Sequence, residues 1–245
     1  MSINAATTIR ELAVTLPGAT RVFEKLGIDY CCGGNRTLAD ACVKAKIPVK
    51  EVADSLAQAE HASLSPDELH DWQTASMTNL IHHIVEKHHT FTKEELPRLE
   101  KLMHKVCAVH GNQHPELLQL KTAFLSLKEE LEPHLMKEEQ VLFPYITKLE
   151  AALANHSSVP LSCFGTVQNP VRMMSIEHDT AGDLLKEMRE TTRQYAVPPE
   201  ACMSYQALYQ GLIELEADLH QHIHLENNLL FPKAITAERE LAGVA

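Results

Sequence analysis

The sequence has little glycine, few aromatic residues and a deficit of basic charge. With only 9 glycines in 245 residues, glycine-rich phosphate loops and turn-dense all-β folds are disfavoured. Lys+Arg is 22 against Asp+Glu 33, a formal charge of −11. An acidic surface repels phosphates, so nucleic acid is not the expected partner. No run approaches the ~18 apolar residues of a membrane span, and none is expected to enter a bilayer. Met1 to Thr8 lacks the basic and apolar regions of a signal peptide, so the expected location is cytoplasmic. The six cysteines, Cys31, Cys32, Cys42, Cys107, Cys163 and Cys202, are then expected to be reduced. They do not form a CxxC…CxxC zinc framework. Hydrophobic residues are 44% and charged residues 22%, enough for a real core. At roughly 150 residues per domain, the length allows one or two domains. Against one tryptophan and 5% aromatics stand 15 histidines, an excess that directs attention to metal.

Helical signals dominate. Glu11 to Leu16 and Arg21 to Leu26 read as short helices broken at Pro17-Gly18. Thr37 caps a helix through Ala45 with Asp40 as its capping-box partner. Pro48 opens a helix through Ala59. Residues 1–60 are thus read as a small helical N-terminal domain. Glu60 to Leu64 reads as a linker, and Ser65-Pro66-Asp67-Glu68 as a helix start. Residues 66–241 then read as an all-α antiparallel four-helix bundle. Its helices are expected at about Pro66 to Val109, Pro115 to Ala154, Asn169 to Tyr195 and Pro198 to Leu241.

The second and fourth of these helices carry related segments. His134-Leu135-Met136-Lys137-Glu138-Glu139-Gln140-Val141-Leu142-Phe143-Pro144 is matched 88 positions later by His222-Ile223-His224-Leu225-Glu226-Asn227-Asn228-Leu229-Leu230-Phe231-Pro232. Both contain H-x-x-x-E followed by L-F-P. Residues four apart on a helix share a face, with Cβ atoms ~6 Å apart, so the imidazole and carboxylate can bind one ion. Both pairs sit on apolar stripes: Leu215, Leu219, Leu225, Leu229 and Leu230 around His222, and Leu127, Leu131, Val141 and Leu142 around His134. A charged carboxylate on such a face costs several kcal/mol unless compensated, and a cation compensates it. A single H-x-x-x-E is ordinarily a surface ion pair; two in register on apolar faces are harder to read that way. The rival pair His220 and His224 shares its face with Glu216, Asn227 and Asn228 and is expected to be solvated.

The remaining helices are expected to complete the ligand set. The third offers Glu177-His178-Asp179, and the first offers His82-His83 and His88-His89. Periodicity does not choose between His82 and His83. His88 and His89 read as supporting groups or as solvated, and His110 has no assigned role. His61, His70, His104, His114 and His156 read as surface histidines. Glu130 and Glu177 read as supporting bases or carboxylate gates near the metal. Imidazole and carboxylate donors suit iron or manganese, with zinc admissible.

These motifs, with Gly27-Ile28-Asp29-Tyr30-Cys31-Cys32-Gly33-Gly34 and Thr37-Leu38-Ala39 near the N-terminus, closely resemble the iron–sulfur cluster repair di-iron proteins, the repair of iron centres family. The resemblance spans nearly the whole chain and includes a hemerythrin-like C-terminal domain. It implies two non-haem iron ions bound by His83, His134, His178 and His222, bridged by Glu138, Glu226 and an oxo group. It selects His83 over His82. It also implies repair of iron–sulfur clusters after oxidative or nitrosative stress, with iron donation as a route, damaged iron–sulfur proteins as partners, and reactivity toward nitric oxide. The competing functions are a nitric oxide or oxygen sensor and a nitric oxide reductase, so the chain is not assigned as an enzyme.

Adjacent Cα atoms lie ~3.8 Å apart, below the usual disulfide range of ~4.4–6.8 Å. Cys31 and Cys32 are therefore not expected to pair with each other. Gly33-Gly34 permits close backbone approach. Taken with the resemblance, the two thiols are expected to handle iron or contact a client, or to meet a second copy in a homodimer. Cys42, Cys107, Cys163 and Cys202 read as packing residues.

Overall fold

A computed structural model describes residues 3–59 and 70–243. The expected linker Glu60 to Leu64, the expected helix start at Ser65 and the surface assignment of His61 lie outside the described residues. The described residues are helical, apart from connections and one isolated antiparallel bridge between Thr8 and Thr37.

Four short helices come first: α1 (Ile9–Thr15), α2 (Ala19–Lys25), α3 (Leu38–Ala45) and α4 (Val49–Ala59). Thr8 Oγ1 accepts the Glu11 N–H at 3.1 Å and starts α1. Pro17-Gly18 interrupts the chain, and Gly18 takes the left-handed φ of 76° that glycine allows. Thr37 Oγ1 accepts the Asp40 N–H at 3.1 Å and donates to Asp40 Oδ2 at 2.7 Å. Thr37 thus caps the helix as expected, while Asp40 meets the Thr37 hydroxyl instead of the backbone N–H that a capping box uses. Ile9, Leu12, Phe23, Leu38, Val52 and Leu56 close a separate apolar core.

Four rods follow. The first is α5 (Met77–His83), a π-helical turn (Ile84–His89) and α6 (Thr90–His110). The second is α7 (Glu116–Lys137), a π turn (Glu138–Leu142) and α8 (Phe143–Ala154). The third is α9 (Gln168–Thr191). The fourth is α10 (Met203–Leu225), a π turn (Glu226–Leu230) and α11 (Phe231–Leu241). Among the described residues the first rod starts at Met77, since 70–76 is not helical, and Met203 rather than Pro198 opens the fourth.

Two apolar clusters fill the rods. One holds Leu96, Leu127, Leu131, Leu185, Leu208 and Leu219. The other holds Leu80, Ile84, Leu142, Val167, Leu230 and Ala234. The first and third rods run from the second cluster to the first; the second and fourth run the opposite way. That alternation is an antiparallel bundle.

The repeated L-F-P explains two of the π turns. Pro144 and Pro232 have no N–H to donate, and their rings crowd the carbonyls four residues back. The helix widens instead: the Phe143 N–H bonds the Glu138 carbonyl, and the Phe231 N–H bonds the Glu226 carbonyl, each five residues back. In the first rod the Thr90 N–H reaches the Val85 carbonyl in the same way. Such wide turns concentrate at functional sites.

The N-terminal helices dock on the fourth rod through polar contacts. His220 Nδ1 donates to Glu24 at 2.8 Å, Gln221 Nε2 to the Tyr30 hydroxyl at 3.0 Å and Asn228 Nδ2 to the Tyr30 carbonyl at 2.8 Å. This corrects the expectation that the face of Glu216, His220 and His224 is solvated. Glu216, His224 and Asn228 are buried. His224 packs edge-on against Tyr30, while Glu216 pairs with Arg189 of the third rod. Polarity on that face is matched by polar protein groups instead of water.

Glu150 of α8 ties down the start of the first rod. Its carboxylate accepts the Met77 N–H at 2.6 Å and the Thr78 N–H at 2.9 Å, together with the Thr78 hydroxyl. These N–H groups have no partner within the helix. Glu150→Ala is therefore expected to cost about 1–2 kcal/mol, lowering Tm by about 2–4 °C per kcal/mol. A helicity melt checks this, and an unchanged Tm would show that the cap is inert.

Candidate metal centre

Between the two apolar clusters, six side chains from all four rods converge. His89 lies in the π turn of the first rod. His134 and Glu138 come from the second, His178 from the third, and His222 and Glu226 from the fourth. They form two groups of four, His89–Glu138–His222–Glu226 and His134–Glu138–His178–Glu226, whose ligand atoms lie within 4.8 Å of one another. Both carboxylates belong to both groups.

The oxygens divide cleanly. Glu138 turns Oε2 to His89 Nε2 at 3.5 Å and Oε1 to His134 Nε2 at 3.4 Å. Glu226 turns Oε1 to His222 Nε2 and Oε2 to His178 Nε2, each at 3.1 Å. Each carboxylate thus presents one oxygen to each group, the arrangement of a bridging ligand. Within each group two imidazole Nε2 atoms face one another at 3.1 Å: His89 with His222, and His134 with His178.

The residues fit a pair of cations. Glu138 and Glu226 are 0% exposed. Both oxygens of Glu138 and Oε2 of Glu226 lack a hydrogen-bond donor; His178 stands near the latter without hydrogen-bond alignment. Orphaned oxygens in a dry interior cost several kcal/mol unless a positive charge meets them. Burial, with Glu226 beside it, pushes Glu138 well above the ordinary carboxyl range. Against burial, His222 and His178 hold Glu226 well below it. Two carboxylates sharing one dry site cannot both ionise without compensating charge.

Three of the four imidazoles are oriented from behind. His89 Nδ1 donates to Glu139 Oε1 at 2.7 Å, and Lys93 bonds the same carboxylate. His134 Nδ1 donates to Glu177 Oε2 at 2.7 Å, and Lys137 bonds that one. Burial alone would raise Glu139 and Glu177, but Lys93 and Lys137, with the histidines, hold both low. His178 Nδ1 donates to Asn227 Oδ1 at 3.0 Å. A bond on Nδ1 places the proton there and frees the Nε2 lone pair for metal. Asn227 in turn donates from Nδ2 to the Cys31 carbonyl at 3.2 Å, so one amide joins the thiol loop to the ligand row.

The structure does not bring His83 to this site. Its half-buried ring lies 4.2 Å from Trp72 and edge-on to His88. His89 takes the place that the resemblance gives to His83. The π turn between the two histidines shifts the helical phase, which a 3.6-residue period does not register. His88 is buried too; its Nδ1 donates to Asp218 at 2.8 Å and its ring stacks on His222. Neither His88 nor His89 is solvated. Glu177 orients His134, whereas Glu130 is exposed and lines a cavity of about 10 Å³ with His134, His178 and His222. Sequence reasoning passed over Glu139, Lys93, Lys137 and Asn227. The adjacent pair Glu138-Glu139 was their one visible signal.

Cys31 and Cys32 are free thiols with sulfurs 3.8 Å apart. With Asp29 they form a third cluster of ligand atoms within 4.8 Å. Asp29 Oδ1 accepts the Cys32 and Gly33 N–H groups at 3.0 and 2.9 Å. A Cβ on Gly33 would meet Asp29 at 2.7 Å, and one on Gly34 would meet Asn228 at 2.8 Å. At either glycine a larger residue would have to displace the Asp29 carboxylate or the Asn228 amide. The Cys32 contact and burial push the Cys31 thiol well up. No described helix is long and apolar enough to cross a membrane.

Two outcomes follow. Removing a ligand should weaken metal binding by more than the ~10–100-fold typical of supporting residues. Titration with ferrous ion should show that loss in His89→Ala, while His83→Ala stays near the parent; the reverse order would overturn the ligand set. In the metal-free protein, burial pushes His89 down to about 3 and His134 and His224 down to about 4. The unfolded chain binds these protons near pH ~6.5. Stability is therefore lost as pH falls below that value, by up to ~1.4 kcal/mol per pH unit per group. Glu138, Glu216 and His222 are raised in the fold and oppose this; His222 does so only above ~6.5 and Glu216 chiefly near the ordinary carboxyl range of ~4.3, so the three histidines prevail between those values. Thermal melts of chelated protein from pH 7 to 5 should show Tm falling; a flat profile would refute the assignment.

Residues 80–234 match the hemerythrin HHE cation binding domain, and residues 5–60 match a domain of unknown function, DUF542. Among relatives, the iron-sulfur cluster repair protein YtfE of Citrobacter koseri is 37% identical over 228 residues, covering 93% of this chain and 96% of its own. Its namesakes in Escherichia coli O81 and Escherichia fergusonii are 39% identical over 230 residues, with the same coverage. The chain belongs to the family of these iron–sulfur cluster repair proteins, built on a hemerythrin HHE cation-binding bundle.

Proposed function

We propose that this protein is a di-iron protein that repairs iron–sulfur clusters damaged by oxidative or nitrosative stress, acting in the cytoplasm. The observation that carries the reading is the division of Glu138 and Glu226 between two histidine pairs, one oxygen to each. His89 and His222 would hold one non-haem iron and His134 and His178 the other, with the two carboxylates and an oxo group bridging them. When bound, the iron pair supplies redox chemistry and affinity for small diatomic ligands.

The protein's own groups have distinct tasks. Glu139 and Glu177 keep the Nδ1 protons of His89 and His134 in place. Lys93 and Lys137 neutralise those carboxylates at the surface. The apolar clusters above and below keep bulk water from the ligands. Glu130 and Glu177, which line the cavity beside His134, His178 and His222, would pass a proton between solvent and the ligand row. Cys31 and Cys32, with Asp29, would receive or pass on iron as cargo and meet the damaged iron–sulfur protein. Asn227 connects that loop to His178.

A second reading, nitric oxide or oxygen binding as a sensor or nitric oxide reductase, is favoured by the cavity of about 10 Å³ beside His134, His178 and His222. That volume is about what one water molecule needs. Stable reversible oxygen binding by the reduced protein would put the oxygen-binding reading first, and catalytic turnover of nitric oxide the reductase reading.

The test is recovery of a cluster enzyme inactivated by nitric oxide or peroxide. The parent protein should restore activity. Glu138→Leu and Glu226→Leu should lose the bound pair and the restoration together, because imidazoles alone do not bridge. Equal recovery with and without the protein would end the repair reading. Two irons retained in either variant would end the bridging assignment.

A further inference from the structure

Cys202 and Cys163 are both exposed, which corrects their expected packing role. Cys202 sits at the N-cap of α10 in an extended conformation, φ −72° and ψ 167°. A partner reaches it from another rod. His110, the last residue of α6, is buried, and its Nε2 lies 3.3 Å from Cys202 Sγ. The ring of His110 is held 5.3 Å from that of Tyr205. Neighbouring His114 is engaged elsewhere, between Glu116 at 3.0 Å and Glu200 at 3.2 Å, and does not compete for the sulfur. The result is an accessible nucleophile with a fixed imidazole behind it, at the bundle end formed by the close of the first rod and the start of the fourth. The metal centre uses neither residue.

We propose that Cys202 and His110 form a nucleophilic thiol site whose reagents are small hydroperoxides, and that Cys202 is converted there to a sulfenic acid. The Cys202 thiolate attacks one peroxide oxygen. An S–O bond forms and the O–O bond breaks, so sulfur loses two electrons and the peroxide gains them. The departing hydroxide, or the alkoxide of an organic hydroperoxide, takes the proton that the Cys202 thiol gave to His110 Nε2 and leaves as water or an alcohol. The exposed sulfur needs no dedicated pocket for so small a reagent. Supporting this geometry, the His110 contact, aided by the backbone N–H groups of Tyr205 and Ser204, holds the Cys202 thiol down to about 7. A free cysteine titrates near ~8.5. This site is independent of the proposed repair activity.

The experiment compares Cys202 with Cys163 in the full-length protein, iron-loaded and metal-free. Hydrogen peroxide is added near neutral pH, the sulfenic acid is trapped with dimedone, and each cysteine is read by peptide mass spectrometry. Greater thiolate content, offset partly by the weaker nucleophilicity of a less basic thiolate, should make Cys202 react about three to five times faster than Cys163. The advantage should be the same with and without iron and should vanish in His110→Phe, which keeps a buried ring but donates nothing. Equal rates at the two cysteines, a rate unchanged in His110→Phe, or oxidation of Cys202 only when iron is present would overturn the proposal. Should His110→Phe lose helicity, the pH profile of Cys202 alkylation in the parent decides. A midpoint near 7 upholds the pair, and one near ~8.5 refutes it.

Discussion

The bundle is organised around two carboxylates that water does not reach. Glu138 and Glu226 are buried completely, and three of their four oxygens have no hydrogen-bond donor. An apolar interior tolerates such groups only when positive charge offsets the lost hydration. The four imidazoles, the π turns that aim the ligands and the outer carboxylates all serve that requirement. The two apolar clusters seal the layer from both ends of the bundle. The site is consequently a continuation of the core, and its metal affinity and the stability of the fold are linked quantities.

The outer layer repeats as the inner one does. His89–Glu139–Lys93 and His134–Glu177–Lys137 are two relays of the same chemistry. In each, a surface lysine keeps a carboxylate ionised, and the carboxylate keeps an imidazole in the tautomer that binds metal. The third relay replaces the carboxylate with Asn227, whose other end holds the Cys31 carbonyl. An amide has both a donor and an acceptor, and a carboxylate lacks the donor. The exchange of carboxylate for amide is what lets one supporting side chain touch both His178 and the thiol loop.

Much of this was legible in the residues. The helices, the Thr37 cap and the four-rod plan follow from caps, prolines and apolar periodicity. His134, Glu138, His222 and Glu226 stand out because their spacing repeats on apolar faces. His178 is the only histidine between His156 and His220. His89 was not legible, because a regular helical period misplaces residues beyond a wide turn. The face of His224 and Asn228 was misread because its polar side chains are satisfied by the connection between α2 and α3, 196 to 198 residues away in sequence for the Asn227 and Asn228 contacts. Long-range polar pairing leaves no periodic trace. Cys202 and His110, 92 residues apart, are hidden for the same reason.

The π turns carry a consequence for how this chain tolerates change in length. Each wide turn spends an extra residue to advance the backbone, and three rods contain one at the level of the ligands. Deleting a single residue within 84–89, 138–142 or 226–230 would let the helix relax to its ordinary pitch. Because the wide turn had absorbed that residue, Leu142 and Phe143, or Leu230 and Phe231, would keep their phase, and only the turn beside the ligands would tighten. A residue added or removed in a rod away from its wide turn would instead swivel everything downstream by roughly 100°. Changes of length therefore fall unequally along stretches that look, residue by residue, like plain helix.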